Sequence, residues 1–371
     1  FTSGSTGPSK GVVYTHGMFL AQASMQKEAF NIEAGEVDLA TFPLFAMFDP
    51  YWETQTVYPD MDFTRPGKVD QRTLVATIRR HSATHMFGSP ALLNRLGTYG
   101  AANQITLPSL RRVFSAGAPV PLQTVQRVAG LLSRTAKVYT PYGATEALPV
   151  TSIDRLELLE LENKVPAGTG TCIGGCLPGI SLEIIRISDG PIPSWKNSLL
   201  VDRGEIGEFA VLGDNVSTAY FRRKDADLEA KIPSDEGFIR HRMGDLGYRD
   251  PEGRIWFCGR KSHRVVTPRG TLFSVMAEGV FNQHPDVFRS ALVGIGKSPE
   301  QLPVICIELR KEAQRKSRFK LEEELLEIAE EYDRARPIGH LLFHPGFPVD
   351  IRHNSKISRE KLAAWAAMEL A

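Results

Sequence analysis

The chain has 371 residues, 42% of them hydrophobic and 23% charged, with a formal net charge of +1. That length predicts two or three domains with ample core, and the near-neutral balance argues against a nucleic-acid partner. No apolar run approaches the roughly 18 residues of a membrane span, and four cysteines (Cys172, Cys176, Cys258, Cys306) that complete no zinc pattern fit a reducing cytoplasm.

The first eleven residues, Phe1-Thr2-Ser3-Gly4-Ser5-Thr6-Gly7-Pro8-Ser9-Lys10-Gly11, gather hydroxyls, glycines and one lysine in a single loop. Hydroxyls and bare backbone N–H groups bond phosphate oxygens, glycines admit close approach, and Lys10 adds positive charge. The loop predicts a nucleotide triphosphate cradle. It is not a Walker A: Ser9 stands where glycine should precede the lysine, and Gly11 where Ser or Thr should follow. A flexible Ser/Gly linker is the alternative. A linker has no need of Lys10, or of the apolar run Val12-Val13-Tyr14, which reads as a short strand ahead of a helix over 17–30.

Strands at 37–42, 84–87, 113–114 and 138–139 then alternate with helices at 73–80, 90–96 and 121–134. That alternation predicts a parallel α/β sheet, with ligands beyond the strand C-terminal ends. From about 165 the pattern changes to strands at 182–187, 205–212 and 255–258 with few helices between them, and to a turn at Asp250-Pro251-Glu252-Gly253. A small β-rich subdomain or barrel follows from that. Beyond Gly259, helices at 278–283, 321–335 and 359–370 and strands at 291–294 and 304–309 predict a separate small α+β unit.

Four further segments carry chemistry. Ser115-Ala116-Gly117-Ala118-Pro119 lies between a strand and a helix, and its glycine lets a flat ligand lie on backbone; taken alone, it is a strand-to-helix turn. Tyr142-Gly143-Ala144-Thr145-Glu146 offers an aromatic face for a base, a hydroxyl for phosphate and a carboxylate for Mg²⁺, although a lone glutamate after a loop is more often solvated. Met243-Gly244-Asp245-Leu246-Gly247 places a carboxylate where it can accept both ribose hydroxyls, or close an Asx turn. His353-Asn354-Ser355-Lys356-Ile357-Ser358-Arg359 precedes the last helix, and Lys356 alone reads as a surface lysine.

In this order the segments resemble the adenylate-forming (AMP-binding) superfamily of acyl-CoA synthetases, luciferases and peptide-synthetase adenylation domains. Gly207-Glu208, Val216-Ser217-Thr218-Ala219-Tyr220 and Gly259-Arg260 resemble further motifs of that family. The resemblance implies a flavodoxin-like sheet plus small β-barrel in a large N-terminal domain (1–259, divided at 165/166), then a mobile α+β lid (260–371) hinged at Ser262. It implies ATP and Mg²⁺ as cofactors and a small-molecule acyl substrate. Thr2, Ser3, Ser5, Thr6 and Gly7 would cradle phosphates. Gly117, Ala118, Pro119, Tyr142, Gly143 and Thr145 would hold the nucleotide, Asp245 and Arg260 its ribose side, and Glu146 the metal. Lys10, Glu146 and Lys356 would carry catalysis. Relatives carry a segment before this phosphate loop, so the resemblance also implies N-terminal truncation, with an exposed sheet edge and a poorly soluble or inactive fragment.

Among the branches, Phe48-Asp49-Pro50-Tyr51-Trp52-Glu53 approaches the amino-acid-binding segment of peptide synthetases but is one residue short before the Trp. The segments 42–50, 259–265 and 348–357 resemble the β-lactone synthetase of bacterial long-chain olefin biosynthesis. Ser262 at the hinge, and Asn354 and Ser355 before the lysine, depart from CoA ligases in the same direction. That branch implies a 2-alkyl-3-hydroxy acid activated as acyl-AMP and closed to a β-lactone, with other olefin-biosynthesis enzymes as partners. His353 or His263 would be the candidate base, against a structural role for each. A fatty acyl-CoA synthetase, a peptide-synthetase-like adenylation enzyme and an inactive nucleotide-binding fragment remain the alternatives.

Overall fold

The computed structural model describes residues 1–2, 9–117, 120–162, 164–349 and 357–371. Five parallel strands lie side by side in the order Gln55–Val57, Val37–Leu39, His85–Phe87, Arg112–Phe114 and Lys137–Ala144. Helices Gln71–His81, Pro90–Ala102 and Leu122–Ala129 connect or flank them. Asp70 and Ser89 start the first two by accepting from Arg72 N and Leu92 N, and Pro90 occupies the first helical position, where its missing N–H costs nothing. Leu74, Ile78, Leu92, Leu96 and Val128 close over the sheet with Leu39, Met86 and Val113. The third helix stops at Ala129 and does not continue to 134. Gly130 caps it, and Leu131 O turns to accept from Leu107 N at 2.7 Å.

After Ala144 the chain reverses. Ala147–Asp154 pairs antiparallel with Lys137–Ala144, and Thr171–Cys176, Ile255–Arg260, Ile239–Arg249, Gly207–Leu212 and Ser181–Ile185 continue the path. The β-rich segment therefore shares one hydrogen-bonded path with the parallel strands. The joining strand Ala147–Asp154 is what the alternation of apolar runs did not reveal. At the junction Gly174 has φ +77°, and a Cβ there would meet Ser152 O at 2.0 Å, so only glycine permits the strands to approach. The four cysteines are free.

From residue 265 onward the chain builds its own cores. Val287–Ile295 and Leu302–Leu309 pair antiparallel, and His340–Phe343 joins in parallel. Helices Ser274–Phe281, Arg318–Glu330 and Arg359–Glu369 pack here, and Arg359 anchors the last by bonding Glu278 at 2.6 Å and Leu292 O at 2.9 Å. Among the described residues, no helix is long and apolar enough to cross a membrane.

Candidate active site

The phosphate loop is pinched at its base. Thr2 N donates to Lys10 O at 2.9 Å, and Lys10 N to Thr2 Oγ1 at 3.0 Å. Gly11 O accepts from Phe221 N at 2.7 Å, and Val13 N donates to Ala219 O at 3.0 Å. The strand expected at 12–14 is a single bridge, Val12 to Tyr220, because Tyr14 leaves it to donate its hydroxyl to Thr145 O at 2.8 Å. Ser3, Ser5, Thr6 and Gly7 lie outside the described residues.

The reversal after Ala144 carries Thr145 and Glu146. Gly143 fits there because a Cβ would come 2.7 Å from Ala147 O. Ser217 N donates to Glu146 O at 2.8 Å, and Tyr220 donates its hydroxyl to Glu146 Oε1 at 2.6 Å. Glu146 Oε2 meets no donor among the described residues. A half-buried carboxylate held by one oxygen, with the other free, fits the hard oxygen ligand that Mg²⁺ takes alongside waters and phosphates. Lys10 Nζ lies 4.9 Å from the Tyr220 ring centre and Lys231 Nζ 5.3 Å. Burial drives the Lys231 ammonium down to about 8, against the pull of Glu146 and Asp227. It is held by Ser217 O at 2.5 Å and Ser217 Oγ at 2.9 Å.

Asp245 stands directly opposite Arg260 across antiparallel strands. Arg260 Nε lies 3.0 Å from Asp245 Oδ1, and Tyr142 donates its hydroxyl to Oδ2 at 2.5 Å. Burial pushes the Asp245 carboxyl above its usual range, while Arg260 and the Tyr142 hydroxyl pull it back. Arg260 also feels Glu146 and Tyr220, so both groups belong to one electrostatic cluster. Gly117 has φ +89° and open space where a Cβ would stand, which leaves its backbone bare to a ligand. Ala118, Pro119 and Lys356 lie outside the described residues, as does His353.

Ser262 is exposed in the short 3₁₀ turn Lys261–His263. Lys261 bonds the buried Glu208 at 3.1 Å, and Glu208 also pairs with Arg242 at 2.6 Å. Burial, with Arg359 and Arg260, drives His263 down to about 3. At that value the imidazole is a weak proton acceptor, which counts against His263 as the base. Beside Ala116 and Pro141 opens an apolar cavity walled by Phe30, Phe42, Phe45, Trp52, Phe87 and Phe114.

Lys231 has no marker in the sequence, and Tyr220, the last residue of the segment Val216-Ser217-Thr218-Ala219-Tyr220, acquires its role only in the fold. Both stand on apolar segments that the structure folds over Glu146.

The AMP-binding enzyme family matches residues 1–221, and the chain belongs to that family. Along its whole length the chain is 46% identical to the olefin beta-lactone synthetases of Xanthomonas campestris pv. campestris and Stenotrophomonas maltophilia, and it spans 66% and 67% of their lengths. Two solved structures share the fold. ATP-bound MatB from Rhodopseudomonas palustris has a TM-score of 0.74 at 20% identity, over 98% of this chain and 68% of that one. The O-succinylbenzoate coenzyme A synthetase of Bacillus subtilis, solved with ATP and magnesium ion, has a TM-score of 0.74 at 20% identity, over 97% of this chain and 68% of that one.

Proposed function

We propose that the protein activates a carboxylic acid with ATP, forming acyl-AMP and releasing pyrophosphate. Its substrate on this reading is a long-chain 2-alkyl-3-hydroxy acid, which then closes to a β-lactone. The observation that carries the reading is the convergence of Lys10, Tyr220 and Glu146 with Tyr142, Asp245 and Arg260 beside an apolar cavity. The 46% identity to two olefin beta-lactone synthetases supports the choice of branch.

In the first step a carboxylate oxygen attacks the α-phosphorus, and the bond to the β-phosphate oxygen breaks. Negative charge builds on both sides of that bond, so Lys10 and Lys356 stabilise it as fixed positive charges. Glu146 would hold Mg²⁺, which would supply further charge neutralisation. Thr2, Ser3, Ser5 and Thr6 hold the departing phosphates, Gly117, Ala118 and Tyr142 the adenine, and Asp245 the ribose hydroxyls. In the second step the 3-hydroxyl oxygen bonds to the acyl carbon, the acyl–phosphate C–O bond breaks, AMP leaves and the hydroxyl proton is lost. The nucleophile already belongs to the substrate, so positioning replaces a second binding event. The 260–371 unit moves about Ser262 between the steps.

Pyrophosphate release measured with ATP, Mg²⁺ and a 2-alkyl-3-hydroxy acid tests the first step. Release that depends on the acid and is lost in Lys10→Ala supports it. Release that is absent, or indifferent to the acid, refutes it.

A further inference from the structure

One face of the parallel strands carries a polar row below an apolar one. Register sets Asp38 opposite His85 and His85 opposite Arg112. Two residues nearer the strand C-terminal ends, Phe87, Phe114 and Tyr139 stand side by side. Strand side chains alternate with period two, so both rows face the same side. The apolar cavity runs along that side from Ala116 and Pro141, and Asp38 and His85 line its far end.

The far end has unfinished chemistry. Glu36 is gripped by both terminal nitrogens of Arg112, at 2.5 and 2.9 Å, and lies 3.2 Å from His85 Nδ1. A carboxylate there fixes the proton on Nδ1 and leaves Nε2 to face Asp38. Nε2 is buried without a hydrogen-bond partner, 3.7 Å from Asp38 Oδ1. His85 is 2% exposed and Asp38 6%. The neighbouring Asp49 is satisfied by the Thr54 and Thr56 hydroxyls at 3.1 and 2.5 Å, but the Asp38 carboxyl accepts no hydrogen bond among the described residues. Buried polar atoms without partners are costly, and a ligand that completes them gains by it.

We propose that Asp38 and His85 form a hydrogen-bonding subsite at the far end of the cavity, one that takes a hydroxyl carried on the chain of an otherwise apolar acid. A hydroxyl suits the pair because it donates to Nε2 while its oxygen accepts from the Asp38 carboxyl in its protonated form, which burial favours. This inference rests on reading the cavity as the acyl site. Arg112, level with His85, precedes Ala116 by four residues, about 13 Å of strand, which is the reach of an extended chain of roughly ten carbons.

Trp52 lines the cavity, so its fluorescence reports binding without ATP, with Trp52→Phe as the control for the other tryptophans. The expected result is that 10-hydroxydecanoate binds about five- to tenfold more tightly than decanoate, within the range of one or two hydrogen bonds. His85→Leu and Asp38→Leu each abolish the preference and leave decanoate binding within about twofold, whereas Asp38→Asn, whose amide still donates, keeps part of it. Equal binding of the two acids to the unsubstituted protein overturns the proposal, and so does failure of both to bind. Stoichiometric zinc on the purified protein, lost in Asp38→Asn, also overturns it by making the cluster a metal site. Because the readout needs no turnover, a hydroxyl preference without pyrophosphate release sinks the adenylation reading and spares the subsite. Acid-dependent release without a preference does the reverse.

Discussion

Replacing Asp245 with Asn removes one negative charge and almost no volume. In the protein Oδ2 accepts from the Tyr142 hydroxyl at 2.5 Å, while Oδ1 is ion-paired with Arg260 Nε at 3.0 Å but is buried without a hydrogen-bond partner. A ribose reaching this carboxylate would make two charge-assisted hydrogen bonds. Each exceeds its neutral counterpart by about 1 kcal/mol, so Asp245→Asn costs about 2 kcal/mol of nucleotide affinity, roughly thirtyfold. The fold should tolerate the change, because the Arg260 side chain is 37% exposed and water can take over part of its charge. Calorimetric titration with ATP measures the affinity, and circular dichroism checks the fold. Wild-type affinity in a natively folded Asp245→Asn protein would refute the assignment of Asp245 to the ribose.

Tyr220→Phe removes the hydroxyl that orients Glu146 at 2.6 Å. The Mg²⁺ concentration for half-maximal pyrophosphate release should rise about three- to tenfold, the worth of one such hydrogen bond, and an unchanged Mg²⁺ dependence counts against Glu146 as the metal ligand. Glu208→Gln leaves the fully buried Arg242 without its counter-ion and should cost about 3 kcal/mol or more, which a denaturant titration reads directly. The polar row sets a pH dependence of opposite signs. Burial pushes Glu36 up, but hydrogen bonds from His85 and Arg112 outweigh it and hold the carboxyl at about 2, so its stabilisation is full above the unfolded value of 4.5 and is lost as pH falls through about 2. Burial raises Asp38 to about 7, so stability present below the unfolded value of 3.8 is lost as pH rises through about 7. The stability of Asp38→Asn relative to the unsubstituted protein should therefore grow from pH 4 to pH 7, and a difference that stays flat over that range contradicts the raised carboxyl.

The parallel strands and their helices were legible because apolar runs alternate with helical spacing, and the strands His85–Phe87 and Arg112–Phe114 fall within a residue or two of their expected bounds. The segments carrying Lys10, Glu146 and Asp245 were legible because glycine, hydroxyl and carboxylate cluster in short spans. Pairings across long separations were not. Tyr220 meets Glu146 over 74 residues, and Arg112 meets Glu36 over 76. Such pairs depend on strand order and register, which local periodicity does not encode. The polar row left only a weak trace, single charged residues inside short apolar strands.

The most direct test of the account is mass spectrometry of the products formed from ATP, Mg²⁺ and a 2-alkyl-3-hydroxy acid with coenzyme A left out. The account predicts a β-lactone, one water lighter than the acid, together with AMP and pyrophosphate. An acyl-CoA product that forms only when coenzyme A is supplied, with no lactone in its absence, would contradict it.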